Sequence, residues 1–150
     1  DKYKWPHHYG HEKLGLKAIK TLCKRIRIPN HLKDLSLLVS EYHTHIHKAL
    51  ELKPQTILKV LKQCDAFRRP ERFDDILTCA KADSRGRTGF ENIEYPQADF
   101  FRNTLLAAQS VNVKELVLSG YKGKELGEKI DLARINAIKE VAKPLSEKTA

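Results

Sequence analysis

Methionine is missing from this chain of 150 residues, which begins at Asp1. Without an initiator, the amino terminus is not expected to be a translational start, and the sequence reads as a fragment of a longer protein. Cysteine is scarce. Cys23, Cys64 and Cys79 are odd in number, form no C-x-x-C pair and each fall on a helical apolar face. A disulfide framework is excluded on those grounds, and free, core-type thiols in a reducing cytoplasm are expected. No apolar run approaches the ~18 residues of a membrane span, so no membrane partner is expected. Two-residue alternation of useful length is also absent, which removes the pattern a half-buried strand would leave. No internal repeat and no low-complexity segment occurs.

What is present fits one globular domain. Apolar residues make up 41% and charged residues 31% of the chain, and 150 residues suffice to bury a core. Lysine plus arginine number 28 against 19 aspartate plus glutamate, a net charge of +9. That balance suits nucleic acid or phosphorylated substrates.

Periodicity predicts an all-α fold of six or seven helices. The first begins near His11 or Glu12, carries Leu14, Ala18, Ile19, Leu22, Cys23 and Ile26 on one side and Lys13, Lys17, Lys20 and Lys24 on the other, and ends at Pro29. The second starts by Leu32 with Asn30 as cap, and runs through Leu35, Leu38, Val39, Tyr42, Ile46 and Leu50. Pro54, Pro70 and Pro96 each open a further helix. Residues 84–95 read as an ordered loop, a short helical piece covers Val113 to Leu118, and a final amphipathic helix carries Leu126, Ile130, Ala133, Ala137 and Val141.

Six of the seven histidines fall in two clusters: His7, His8 and His11, then His43, His45 and His47. Imidazole clusters on two helices are what convergence on a metal requires. His43 sits one turn from Val39 and one from His47, which aims it inward, whereas His45 falls on another side. Asp83 continues the apolar series Phe73, Ile76, Leu77 and Ala80, where an ionised carboxylate is costly unless paired or bound to metal. Asp65 competes with it for that role but flanks its apolar stripe, so a cap or an Arg68 partner is the better use. Gly15, four residues after His11, lets another backbone come close.

His11, His43 and Asp83 together resemble the His, His, Asp set that recurs in metal-dependent phosphohydrolases of the HD superfamily. Five longer stretches narrow the match: Trp5 to His11, Arg25 to Pro29, Glu41 to His43, Asp65 to Arg72 and, the most specific, Ala82 to Glu91. With Gly120 to Gly127 they make residues 5–142 similar to the carboxy-terminal HD domain of bacterial CCA-adding enzymes, the gammaproteobacterial type of tRNA nucleotidyltransferase.

The resemblance implies the later part of an HD domain: a lead-in loop at 1–11, a helical core at 12–143 and a tail at 144–150. It implies metal donors at His11, His43 and Asp83, with His8 a weaker one, and catalytic roles for His43 and His11. Arg85, Arg87, Arg68 and Arg69 become candidates for phosphate or tRNA contacts. The implied cofactor is a divalent metal (Mg, Ni or Mn), while ATP and CTP would serve only a nucleotidyltransferase region that this chain lacks. The implied activity of the domain is phosphoester hydrolysis, on 2′,3′-cyclic phosphates and 2′-nucleotides, in a cytoplasmic protein acting on tRNA 3′ ends. One departure stands out: the His-Asp dyad that names the superfamily occurs nowhere in the chain, so the fragment is expected to be inactive alone. The alternative is a non-catalytic helical module for tRNA binding or for pairing into a homodimer.

Overall fold

The computed structural model describes residues 10–143, and among them every regular element is helical. In order these are α1 (His11–Arg25), α2 (Asn30–His47), a 3₁₀ turn (Ala49–Glu51), α3 (Pro54–Gln63), α4 (Pro70–Arg85), α5 (Pro96–Gln109), α6 (Val113–Leu118) and α7 (Gly123–Ala142). The all-α expectation holds. Within those bounds, none is long and apolar enough to cross a membrane.

Proline opens α3, α4 and α5 at the first helical position, where its missing N–H costs nothing and its fixed φ suits the helix. Two boundaries differ from the sequence expectation. α1 stops at Arg25, short of Pro29, because Arg27 turns left-handed (φ 52°) and the Ile28 N–H reaches back to the Cys23 carbonyl at 3.0 Å. Asn30 does not cap α2. It is the first helical residue, the Pro29 carbonyl accepts from the Leu32 and Lys33 amides, and the Asn30 side chain accepts from Lys33 Nζ at 3.2 Å.

The core lies among α3, α4, α5 and α7 and the last turn of α2. Ile46, Ile57, Leu61, Phe73, Ile76, Leu77, Phe101 and Ile138 are fully buried there. Phe73 and Phe101 meet edge to face, with ring centroids 5.8 Å apart. Each such side chain contributes about 1.5–3 kcal/mol by leaving water. α1 stands outside this core, packed mainly on α2. Of its expected apolar stripe only Cys23 is buried, while Leu14, Leu22 and Ile26 are exposed, since a helix with one principal neighbour can cover only one side.

What α1 lacks in burial it replaces with close polar contact. A Cβ on Gly15 would stand 2.9 Å from Ser40 Oγ, so glycine is what lets the two helices approach here. Ser40 Oγ donates to the Glu12 carbonyl at 3.1 Å and Thr44 Oγ1 donates to the Glu12 carboxylate at 3.1 Å. These contacts fix the first turn of α1 beside the last two turns of α2. They thereby bring one histidine cluster to the other.

Candidate functional site

His11 and His43 come into direct contact across the α1–α2 seam, Nε2 to Nε2 at 3.0 Å, with ring centroids 5.1 Å apart. The tautomer of His43 follows from its surroundings. Its Nδ1 lies 3.0 Å from the carbonyls of both Val39 and Ser40, which can only accept, so Nδ1 carries the proton. In the neutral ring the lone pair therefore sits on Nε2, facing His11, which donates to it. Fixing one imidazole nitrogen with a backbone carbonyl so that the other is held as a ligand is the outer-shell device of metal-binding histidines.

Asp83 reaches the same neighbourhood from the last turn of α4. It lines, with His43, Ile19, Leu35, Val39, Ser36, Ser40 and Cys79, an open cleft of about 330 Å³ between α1, α2 and α4. Contrary to the expectation of a carboxylate forced onto an apolar face, its side chain is 55% exposed, because α4 has run past the core by that turn. It is nonetheless engaged. His47 Nε2 donates to Asp83 Oδ2 at 2.9 Å, and His47 Nδ1 accepts from the Tyr95 hydroxyl at 2.8 Å. Burial, with Asp83 adding to it, pushes the Tyr95 phenol up to about 12, so it stays protonated and donates at neutral pH. The His43 and His47 rings stand edge to face at 5.7 Å. The sequence marks His47 as a member of the second histidine cluster but not as a site residue, and it does not mark Tyr95. The signal for His47 was its place one turn beyond His43, while nothing local to Tyr95 marks it.

Whether these groups fit a metal can be asked of the geometry. Two nitrogens each ~2.0–2.1 Å from one ion stand roughly 2.9–3.4 Å from one another, so the His11–His43 spacing suits a shared cation. The third donor does not join them. Asp83 is held by His47, and among the described residues no group of three or more His, Cys, Asp or Glu side chains is placed to hold an ion. The donor set expected from the sequence is thus a pair of imidazoles with its carboxylate engaged elsewhere. His8 lies outside the described residues.

The arginines divide. Arg68 forks onto Asp65, Nε to Oδ1 and a terminal nitrogen to Oδ2, both at 2.8 Å, while Arg69 and Arg72 lie 3.7 and 3.8 Å from the same carboxylate. Asp65 follows α3 with φ 55°, and the Arg68 hydrogen bonds hold its carboxyl below the usual range. Its carboxylate is thus shared by three arginines. Arg85 Nε donates to the Ile93 carbonyl at 3.1 Å, tying down the loop after α4, and Arg87 is exposed on that loop. His45 is exposed, its ring near that of Tyr42.

Comparison with known proteins finds relatives over nearly the whole chain. It is 51% identical to the multifunctional CCA protein of Pseudoalteromonas atlantica over 134 residues, 89% of this chain and 33% of that one. It is 48% identical to the protein of that description from Hahella chejuensis over 135 residues, 90% of this chain and 32% of the relative. For Pseudomonas savastanoi pv. phaseolicola the identity is 47%, with 90% and 33% covered. The chain thus spans about a third of the length of the relatives it matches. No family model matches it, and no solved structure does.

Proposed function

As a homologue of the multifunctional CCA proteins over a third of their length, this chain is, we propose, part of a cytoplasmic protein that adds or repairs the CCA end of tRNA. Its helices make up the later portion of an HD-type phosphohydrolase domain in that protein, acting on 2′,3′-cyclic phosphates and 2′-nucleotides. The observation that carries the reading is the His11–His43 contact, two imidazoles 32 positions apart whose Nε2 atoms face each other at 3.0 Å. It stands on a chain whose identity to CCA proteins approaches one half.

The roles of the residues follow from their bonds. His43, oriented by the Val39 and Ser40 carbonyls, lines the adjoining cleft, and its Nε2 serves there as a general base or a metal ligand when it exchanges the His11 hydrogen bond for a water or an ion. His11 faces it from α1. His47 holds Asp83 at the rim and is itself held by Tyr95. A divalent ion supplies, in an HD domain, an activated water and a charge against the phosphoryl oxygen. With two imidazoles and no third donor among the described residues, and no His-Asp dipeptide in the sequence, the chain alone should not turn over.

The test compares this chain with a whole-length CCA protein carrying its sequence, on a 2′,3′-cyclic nucleotide with Mg²⁺, Mn²⁺ or Ni²⁺. The long form should hydrolyse it and lose more than about a hundredfold with His43→Ala, beyond the 10–100-fold typical of an outer partner. Addition of CCA to a trimmed tRNA should be retained. Equal turnover by the two lengths, or an unimpaired His43→Ala, defeats the proposal. A second reading, a non-catalytic module that binds tRNA or pairs two copies, draws on the net charge of +9.

A further inference from the structure

The cations of this chain are unevenly neutralised. Arg68, Arg102 and Lys62 each meet a carboxylate within 2.8 Å, at Asp65, at Asp74 and Asp99, and at Asp131. Along residues 11–34 the situation is reversed: Lys13, Lys17, Lys20, Lys24, Arg25, Arg27 and Lys33 stand against two acidic residues, Glu12 and Asp34, and among the described residues none of the seven meets a carboxylate within 4.0 Å. Glu12 is turned toward Thr44 on α2.

Lys13, Lys17, Lys20 and Lys24 follow one another at spacings of four, three and four, and so form one row along α1. All four are exposed. Like charges at these spacings oppose the helix that carries them. The row ends in a cleft of about 420 Å³ at the α1–α2 corner, where Lys20, Lys24, Arg27 and Lys33 converge with Asn30 and the apolar walls Cys23, Ile28 and Leu37. None of these cations lines the cleft shared by His43 and Asp83.

We propose that this row and the corner cleft bind the phosphate backbone of an RNA strand, at a site separate from the His11–His43 pair. From Lys13 to Lys24 the row runs about 16 Å along the helix. At ~3.4 Å of axis per phosphate in one strand, that length faces about five phosphates. The corner cleft can take one phosphate group among its four cations. A flat anionic bilayer cannot enter that concavity, which is why a nucleic-acid strand is the better occupant of a row of lysines ending in a cleft. The site serves the tRNA-binding reading without depending on hydrolysis, since its readout is binding and not turnover.

The experiment measures fluorescence anisotropy of a labelled 12-nucleotide RNA with the 150-residue chain across a salt series. Two triple variants are compared: Lys20→Gln/Lys24→Gln/Arg27→Gln, and a control with the same charge change on exposed residues elsewhere, Lys53→Gln/Lys114→Gln/Lys122→Gln. Circular dichroism checks that both retain their helices. The first should bind at least about tenfold more weakly at 0.1 M salt, and its salt slope should fall by roughly 2, the ~0.7 per phosphate contact expected for a single strand. The control should stay within about twofold of the parent. Equal losses in the two variants would reduce the effect to net charge and overturn the proposal. So would millimolar inorganic phosphate displacing the RNA, which would make the corner a free-phosphate pocket. Phosphatidylserine vesicles binding the chain as tightly as RNA does, with the same sensitivity to the first variant, would reassign the row to a membrane.

Discussion

A side chain's chemistry here is decided by its nearest hydrogen-bonding partner more than by its own type. His43 and His47 lie one turn apart on α2, yet the first is set by backbone carbonyls and the second by Asp83 and Tyr95. Tyr42 and Tyr95, both pushed up to about 12 chiefly by burial, give an alkaline prediction. Unfolded tyrosine loses its proton near 10. Between about 10 and 12 the unfolded state therefore holds fewer protons at these positions than the folded one, and stability falls as pH rises. Tyrosine absorbance during an alkaline titration should show both groups lagging, and Tyr95→Phe should remove one. That variant should also lower the melting temperature by roughly 2–4 °C, the effect of about 1 kcal/mol for a lost hydrogen bond to His47. Asp65 acts at the acid end. Its carboxyl is lowered by Arg68, so the stability it provides is complete above the ordinary carboxylate range and is lost as pH falls through its folded value. Asp65→Asn, which keeps an asparagine at the left-handed position, should flatten the acid limb of the stability curve; an unchanged limb would disprove the coupling.

Among the helices, α1 and α4 are tied into the molecule very differently. α4 buries Phe73, Ile76, Leu77 and Ala80, whereas α1 buries only Cys23. Local opening follows that difference. In hydrogen exchange the amides of α1 should exchange well before those of α3, α4 and α5, and an α1 as protected as α4 would contradict this packing. Gly15 is the lever on α1. A leucine there meets Ser40 Oγ, which a Cβ alone would approach to 2.9 Å, and should lift α1 from α2 and part His11 from His43 while the core stays folded. Although a backbone was expected at Gly15 and the atom that comes close is the Ser40 hydroxyl, a close approach there was legible four residues after His11. The failure of Leu14, Leu22 and Ile26 to be buried was not, since amphipathic spacing says which side is apolar and not whether anything covers it.

At the scale of the molecule, stability rests on the packing around Phe73 and Phe101 and not on the histidine-bearing seam. Phe101→Ala should cost about 3–5 kcal/mol, a large share of the ~5–15 kcal/mol that holds a domain together, and lower the melting temperature by on the order of 10 °C. His11→Ala, at an exposed position on a helix that buries only Cys23, should lower stability by no more than about 1 kcal/mol, the scale of its hydrogen bond to His43. A comparison of the two by calorimetry separates the scaffold from the site it supports.

The linear order of residues was enough to determine the helices, because a 3.6-residue apolar period and a proline at a first turn act locally. It also carried the resemblance to CCA proteins. Whereas the Arg68 partner of Asp65 was legible three residues away, only the tertiary structure decided that His11 meets His43 and that Asp83 is exposed and held by His47. The physical reason is the same in each case. Which donor finds which acceptor depends on distances between helices far apart along the chain, and those are set by how α1, α2 and α4 pack.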